Sequence, residues 1–196
     1  MELMRLPSLP MLFKKNHNRG FSLIELLVTL AISIVIVSAV LFRFDSFDSV
    51  VVLKSIAYEV ALTVREAQIF AVSAAGDSAG TFDTPYGVYV SDINQQDYIF
   101  FEDSNGNMDF DVSDTVIETY TINSKYTFVD LCVNSSCGLN QLSLVFQRPE
   151  FDPQIKAGGA PVSPTSATIR VGIKDDPSTT FSVVVGLTGQ VTVTTP

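Results

Sequence analysis

The sequence predicts an α+β fold in which one long N-terminal helix precedes a domain of antiparallel strands. Three observations support this prediction. Residues 21–42 form a long, mostly apolar run, residues 53–71 repeat apolar side chains every three or four positions, and residues 86–194 alternate short β-rich runs with turn-forming residues. We therefore expect the helix and the strands to occupy separate parts of the chain.

The apolar run is long enough to cross a membrane. It contains 22 residues, which make about 33 Å of helix against a hydrocarbon core of about 30 Å. Lys14, Lys15 and Arg19 precede the run and only Arg43 follows it closely, so the N-terminal side should stay cytoplasmic while the bulk of the chain is exported. Glu25 is the one charged residue inside the run, and such a charge is costly unless it finds a partner.

Residues 43–75 are expected to extend this helix into the exported domain. The spacing of their apolar residues is typical of an amphipathic helix that packs one face against a sheet. These residues are Leu53, Ile56, Ala57, Val60, Val64, Ala67 and Ala71. Because no Pro or Gly lies within 21–75, we expect one helix of about 55 residues, whose weakest stretch is 45–49.

Residues 76–80, which contain two glycines, are expected to end the helix, and residues 76–196 then form the β-rich domain. The candidate strands are 86–91, 97–102, 115–122, 126–133, 141–147, 168–174, 181–186 and 190–194. Residues 186–189 are predicted to be the loop of a final hairpin. Residues 149–164, rich in Pro, Gly and Ala, are predicted to be a long surface loop.

The start of the apolar run, Gly20-Phe21-Ser22-Leu23-Ile24-Glu25, allows three interpretations. A secretory signal peptide would explain the basic residues before it, with a cleavage site after Ala39, but its apolar region should be shorter and uncharged. A plain signal anchor would explain the length and the flanking charges and would leave Glu25 without a role. The third interpretation rests on a family resemblance.

The residues from Gly20 to Val28, GFSLIELLV, closely resemble the processing motif of type IV pilins and type II secretion pseudopilins. The resemblance implies that residues 1–20 are a cytoplasmic leader, that prepilin peptidase cleaves between Gly20 and Phe21, and that the new amino terminus at Phe21 is methylated. It also implies that Glu25 pairs with a neighbouring subunit during filament assembly. In a low dielectric such a pair offsets its desolvation only if its geometry is good.

The resemblance implies a pilin-like fold, in which a transmembrane half-helix (21–42) and an amphipathic half-helix (43–75) precede an antiparallel β-sheet domain. The all-β C-terminal part is most similar to the H-type minor pseudopilins and their FimT-like pilus relatives. Many major pilins carry a proline near Phe42, and this chain has none there, which favours a minor pilin or pseudopilin.

The same resemblance implies partners and a location. The partners would be other pilin or pseudopilin subunits, prepilin peptidase and an inner-membrane assembly platform. The chain would be a single-pass protein of the inner membrane, with its N-terminus cytoplasmic and its C-terminal domain extracytoplasmic, and would then enter a pilus or pseudopilus.

Composition argues against catalysis and against nucleic-acid binding. The single histidine, His17, lies in the leader, so the mature chain would lack every His-dependent catalytic triad and every His-ligated metal site. Without residues 1–20 the chain has eight basic and twenty acidic residues, a net charge of −12. Such a surface repels phosphates, so no nucleic-acid partner is expected.

Cys132 and Cys137 are the only cysteines, and they lie in a region predicted to be exported. A disulfide is therefore the expected state. It would pin a turn and stabilise the fold by about 2 kcal/mol in the chain-entropy model. A free thiol pair or a redox motif are the alternatives, although redox motifs usually have the tighter C-x-x-C spacing.

Residues 103–114 form an acidic loop between two candidate strands. Its side-chain oxygens recur at positions 1, 3, 5, 7, 9 and 12, the ligand spacing of a calcium loop. They belong to Asp103, Asn105, Asn107, Asp109, Asp111 and Asp114. The EF-hand pattern has Gly at position 6 and Glu at 12, whereas this loop has Gly106 at 4 and Asp114 at 12. The alternative is a solvated hairpin loop that turns at Asn105 and Gly106.

Two classes of function remain at this stage. The first is a structural subunit, a minor pilin or pseudopilin of a type IV pilus or a type II secretion pseudopilus, with no catalytic residues of its own. The second is a signal-anchored extracytoplasmic domain that binds a ligand, calcium included, or catalyses a reaction. The state of the amino terminus separates them, because only the first requires cleavage after Gly20.

Overall fold

The computed structural model describes residues 20–73, 83–158, 160–161 and 165–195. In these residues one helix, α1 (Leu23–Val72), precedes ten strands, and every strand pair is antiparallel. The chain is therefore α+β and pilin-like, as predicted. The predicted leader up to residue 19 and the predicted helix-ending stretch 76–80 lie outside the described residues.

The strands form two sheets. In chain order they are β1 (Tyr86–Ser91), β2 (Asp97–Glu102), β3 (Thr115–Thr121), β4 (Tyr126–Val133), β5 (Gln141–Phe146), β6 (Gln154–Ala157), β7 (Ala160–Pro161), β8 (Ser166–Ile173), β9 (Asp176–Gly186) and β10 (Val191–Thr194). The first sheet has the order β3-β2-β1-β5-β6-β7 and the second the order β10-β9-β8-β4. Thus β3 is an edge strand of the first sheet and β4 an edge strand of the second.

The chain divides into two compact units, residues 1–44 and 45–196. In the first unit, Leu23–Leu41 is a 19-residue stretch of α1 with a mean hydropathy of 2.7, and none of it is buried. The hydroxyls of Thr29, Ser33 and Ser38 donate to backbone carbonyls three or four residues earlier, at 3.0, 2.8 and 2.8 Å. These polar groups are thereby satisfied within the helix and cost little in an apolar medium.

In the second unit, the apolar stripe of α1 forms one hydrophobic core with both sheets. All seven stripe residues predicted from the 3.6-residue periodicity are buried, and Leu53, Ala57, Val60, Val64 and Ala67 have no exposed surface. The largest buried side chains in the same core come from the strands, namely Tyr98, Phe100 and Phe146. The amphipathic half of the helix is therefore held by packing and not by helix propensity alone.

Polar contacts fasten this half of α1 at both ends. The buried Ser49 accepts a hydrogen bond from Lys125 Nζ at 2.6 Å. Further along, the Arg65 guanidinium donates to the carbonyl of Val191 at 2.9 Å. At the end of the helix, Arg148 donates to the carbonyls of Val72 and Ser73 at 3.3 and 2.7 Å. Its positive charge is also favourable at the negative end of the helix dipole.

The hairpin of β9 and β10 confirms the loop predicted at 186–189. The Gly189 N–H donates to the Gly186 carbonyl at 3.0 Å, and Gly189 has a φ of 73°. Gln68 of α1 donates to the carbonyls of Gly189 and Phe151, both at 3.1 Å. A Cβ at position 189 would collide with the Phe151 carbonyl and the Gln68 amide, so glycine is required here on two counts.

The prediction of a long loop at 149–164 is wrong in part. Strand β6 lies within it and pairs with β5, and β7 pairs with β6. Only Ile155 of β6 is buried, so one apolar side chain was too weak a signal against the surrounding Pro, Gly and Ala. Element ends also differ: α1 ends at Val72 and not at 75, while β9 begins at Asp176 and not at 181.

Candidate functional site

The peptide bond between Gly20 and Phe21 is exposed and precedes the helix. Both residues are exposed, α1 begins at Leu23, and the first helical hydrogen bond joins the Leu26 N–H to the Ser22 carbonyl at 3.1 Å. A Cβ built at Gly20 would meet no atom within 4 Å. The fold therefore does not require glycine at position 20, and a requirement for it must come from whatever recognises the segment.

Glu25 lies in the first turn of α1 and is exposed. A carboxylate there faces the positive end of the helix dipole, which is a favourable but small term. Phe21 lies two residues before the start of α1, so a free amino group there would lie close to the first turn that carries Glu25. Among the described residues Glu25 makes no ion pair, and in an apolar medium its charge therefore needs a cation from outside the described chain.

The helix surface around Glu25 is mostly apolar, although Ser22 and Thr29 lie on the same side of the helix as Glu25. Leu23, Ile24, Leu26 and Leu27 are each more than half exposed. Such a surface is unfavourable in water and needs either lipid or other helices around it. Once lipid or other helices cover this surface, the charge of Glu25 lies in surroundings without water.

The predicted disulfide is present. The Sγ atoms of Cys132 and Cys137 are 2.03 Å apart, and the bond closes the turn after β4. In that turn Val133 and Ser136 exchange backbone hydrogen bonds of 2.9 and 3.0 Å. The side-chain oxygen of Asn134 accepts from the Thr165 N–H at 2.6 Å and so ties the turn to the start of β8.

The disulfide also rules out metal binding by a group of three ligand atoms that lie close together at this turn. In the described part of the chain, one group of three carboxylate, thiol or imidazole ligands lies within 4.8 Å, and it consists of Asp130, Cys132 and Cys137. Both sulfurs are consumed by the disulfide, so no thiolate is left to bind a metal. Asp130 instead accepts from the Gly138 N–H at 2.8 Å and pairs with Arg170 at 3.3 Å.

The acidic loop is organised around Asp103, which is only 1% exposed. Its carboxylate accepts the backbone N–H groups of Gly106, Asn107 and Met108 at 2.8, 3.2 and 2.7 Å. Met108 has a φ of 63°, the left-handed conformation, at the sixth position of the loop. An EF-hand loop makes its sharp turn at the same position, where it carries glycine.

The other five predicted ligands do not all lie together. Asp114 accepts the backbone N–H groups of Ser104 and Asp111 at 3.1 and 2.8 Å. The side-chain amides of Asn105 and Asn107 donate to Asp111 Oδ2 at 2.9 and 2.6 Å, so these three residues lie together. Asp109 is bonded elsewhere, because its Oδ1 accepts from the Ser143 hydroxyl of β5 at 2.5 Å. The alternative of a solvated hairpin loop does not describe Asp103, because its carboxylate is buried and accepts backbone N–H groups as far along as Met108. Calcium binding stays a prediction.

Two carboxylates of this loop have opposite pKa shifts. The Ser113 backbone N–H, followed by the Asn105 amide, lowers the pKa of Asp111 below its ordinary value. Partial burial raises the pKa of Asp114, and the nearby charges of Asp103 and Asp111 add to this effect. The loop therefore favours negative charge at Asp111 and disfavours it at Asp114.

A second apolar face of α1 was not among the features predicted from the sequence. In the second unit Val51, Tyr58, Leu62 and Ile69 are 52, 54, 65 and 63% exposed, on the side away from the core. Their spacings of seven, four and seven were a signal that could have been found.

Comparison with known families supports the N-terminal motif. The family model described as the prokaryotic N-terminal methylation motif matches residues 15–41. The match includes Gly20, Phe21, Glu25 and the exposed apolar stretch, and it leaves the β-domain uncovered. Comparison with curated proteins and with solved structures gives no match.

Proposed function

We propose that this chain, which its N-terminal methylation motif marks as a type IV pilin- or pseudopilin-like precursor, is a structural subunit of a type IV pilus or a type II secretion pseudopilus. One observation carries the proposal. An exposed Gly20–Phe21 bond precedes an exposed apolar helix with a single charge at Glu25, and the same helix continues into a folded β-domain. A filament subunit needs each of these parts.

Processing is the first step of the proposal. Prepilin peptidase hydrolyses the Gly20–Phe21 bond, which releases residues 1–20 and leaves an amino group on Phe21 that is then methylated. The bond is exposed and lies outside the helix, so cleavage requires no unfolding of α1. Cleavage also creates a cation at the start of the apolar run, close to Glu25, the one carboxylate of that run.

Assembly is the second step, and Glu25 guides it. Its carboxylate pairs with the amino group of Phe21 in a neighbouring subunit once both leave the lipid. A buried pair of this kind adds little net stability, whereas a buried charge without its partner costs several kcal/mol. The pair therefore acts mainly on register, since subunits that are out of position leave both charges unpaired.

The proposal includes a location and partners. Before assembly the chain is a single-pass protein of the inner membrane, anchored by Leu23–Leu41, with the β-domain on the extracytoplasmic side. An inner-membrane assembly platform then transfers it into the filament. There the helices of other subunits replace lipid around its apolar surface.

The β-domain supports a structural role over a catalytic one. A chain cleaved at Gly20 loses His17, and the disulfide consumes both cysteines, so nucleophile and base pairs that need His or a free Cys cannot form. Its net charge of −12 disfavours nucleic acid. The absence of a proline near Phe42 and the all-β domain favour a minor subunit, of the H-type pseudopilin or FimT-like kind.

Processing and assembly can be tested together in the cells that produce the protein. We expect the chain to shorten only when prepilin peptidase is present, and Glu25→Ala to be cleaved and membrane-inserted normally yet to be depleted from sheared filaments. Ser33→Ala is the matched control, because it removes a polar group of the same span without removing a charge. A chain of the same size with and without the peptidase would contradict the proposal that it is a cleaved precursor. Normal incorporation of Glu25→Ala into filaments would contradict the role of Glu25.

A further inference from the structure

The amphipathic half of α1 carries two apolar seams on opposite faces. Positions 53, 57, 60, 64, 67 and 71 alternate steps of four and three and are all buried against the sheets. Positions 51, 55, 58, 62, 65 and 69 follow the same alternation two residues away, which is about 200° around the helix. We call residues 51–69 on this side the outer face.

Apolar side chains occupy four of the six seam positions of the outer face, and the other two hold Ser55 and Arg65. Val51, Tyr58, Leu62 and Ile69 are each more than half exposed. The one charged seam residue, Arg65, directs its guanidinium to the Val191 carbonyl. A heptad seam of this kind matches another helix in shape, because knobs from each helix fill holes on the other.

Acidic residues line one side of the outer face. Glu59 and Glu66 directly follow seam positions 58 and 65, the place where charges choose the partner of a helical pair. Among the described residues neither carboxylate makes an ion pair. The rim beside the seam therefore lacks the cation that would complement it.

The edge strand β3 extends this acidic rim. The Tyr120 hydroxyl donates to Glu118 at 2.8 Å, and the Tyr120 ring stacks on Tyr98 with centroids 4.9 Å apart. Partial burial raises the pKa of Tyr120 to about 12, and the charges of Glu118 and Glu66 contribute, so strand and helix present one negative region. Aromatic faces beside carboxylates attract Lys and Arg side chains.

We propose that the outer face of α1 docks a helix from a different subunit of the same filament, one that carries Lys or Arg beside its own apolar seam. This inference rests on the proposed function and names its partner.

A second copy of this chain is a poor occupant of the outer face. In a parallel pair, Glu59 and Glu66 would face the partner positions 54, 61 and 68, which hold Lys54, Ala61 and Gln68 and so offer one cation for two carboxylates. Two mature chains would also each carry a net charge of −12. A basic partner removes both penalties, so the outer face favours mixed assembly over self-assembly.

Photo-crosslinking of the full-length protein in the producing cells tests this inference. A photoreactive phenylalanine analogue replaces Leu62 on the outer face, and a second protein carries it at Asp175, an exposed turn residue outside α1. After irradiation, mass spectrometry identifies the attached peptide. We expect an adduct from position 62 only, with a helix of another polypeptide that has Lys or Arg beside an apolar seam.

Charge reversal supplies the matched comparison. Glu59→Lys with Glu66→Lys should lower the adduct yield by about tenfold, the effect of losing roughly 1.4 kcal/mol from two charge pairs. Glu150→Lys with Asp175→Lys changes the net charge equally on exposed residues outside α1 and should leave the yield unchanged. Equal melting temperatures of the two double variants show that the fold is intact.

Three results would overturn the inference: an adduct with a second copy of this chain, no adduct in protein that has entered the filament, or equal loss in both double variants. A chain that is not cleaved, or that never reaches the filament, contradicts the proposed function instead. Gel analysis before irradiation shows that outcome, so the two failures are distinguishable.

Discussion

The backbone N–H of Met108 donates a hydrogen bond of 2.7 Å to the buried carboxylate of Asp103, and it does so from a left-handed φ of 63°. This contact turns the chain back toward β2. A non-glycine residue in this conformation costs about 1 kcal/mol. Asp103 offsets that cost by accepting two further N–H groups of the same turn.

Replacing Asp103 should therefore loosen the acidic loop and lower the stability of the β-domain. We expect Asp103→Asn to lower the free energy of unfolding by about 2 kcal/mol, because an amide replaces a charged acceptor and presents a donor to backbone N–H groups. Urea denaturation of the full-length protein in detergent measures this. Asp175→Asn, on an exposed turn, is the control and should be neutral; equal effects of the two changes would contradict the role of Asp103.

The two shifted carboxylates of the loop should titrate in a fixed order. Asp111 should lose its proton below the ordinary value of 3.8 and Asp114 above it, as seen from side-chain carboxyl signals in NMR. The sign for stability differs: Asp111 contributes stability that is lost as pH falls through its folded pKa, while the contribution of Asp114 is lost as pH rises through its folded pKa.

A variant of Asp111 tests whether its charge raises the pKa of Asp114. Asp111→Asn should lower the pKa of Asp114, because the charge of Asp111 is one of its causes. An unchanged or higher pKa of Asp114 in this variant would show that the two carboxylates do not interact as described.

Calcium binding by the loop, which the spacing of its oxygens predicts, can be decided by titration. If the loop binds calcium, millimolar calcium should raise the melting temperature of the wild-type protein. A calcium concentration of one hundred times Kd would stabilise the folded state by about 2.7 kcal/mol. Asp111→Asn should remove most of the rise. An unchanged melting temperature of the wild type would exclude the site and leave the loop held by its own hydrogen bonds.

The disulfide should stabilise the second sheet at its β4 edge. We expect Cys132→Ser with Cys137→Ser to lower the free energy of unfolding by about 2 kcal/mol, from the short loop that the bond closes. Reductant should lower the stability of wild type toward that of the double variant and should not affect the variant. Equal stability of oxidised wild type and variant would mean that the turn is held by Asn134 and its contacts with Thr165 alone.

Local patterns in the sequence predicted most of the fold. The apolar run, the core stripe of α1 and eight strands each carry a periodicity or a turn signal within a few residues, and the structure has all of them. Strand β6 was missed because its evidence is non-local. Its pairing with β5 supplies the order, and Ile155 alone shows burial.

The part of the candidate site that depends on the order of residues along the chain was predictable. The methylation motif is defined by the spacing of Gly20, Phe21 and Glu25 along the chain, and this spacing is visible in the sequence. The central role of Asp103 was not visible, because it depends on backbone groups that converge only when the loop folds. Likewise, the acidic rim joins Glu66 to Glu118 and Tyr120 through tertiary structure.

The most direct test of the proposed function is the mass of the N-terminal peptide from protein recovered out of membranes and filaments. The account predicts a peptide that begins at Phe21 and carries one methyl group on its amino nitrogen, with no peptide spanning Gly20 and Phe21. An intact leader, or a chain that begins after Ala39, would contradict it and would show that the apolar helix is a signal anchor or a cleaved signal peptide.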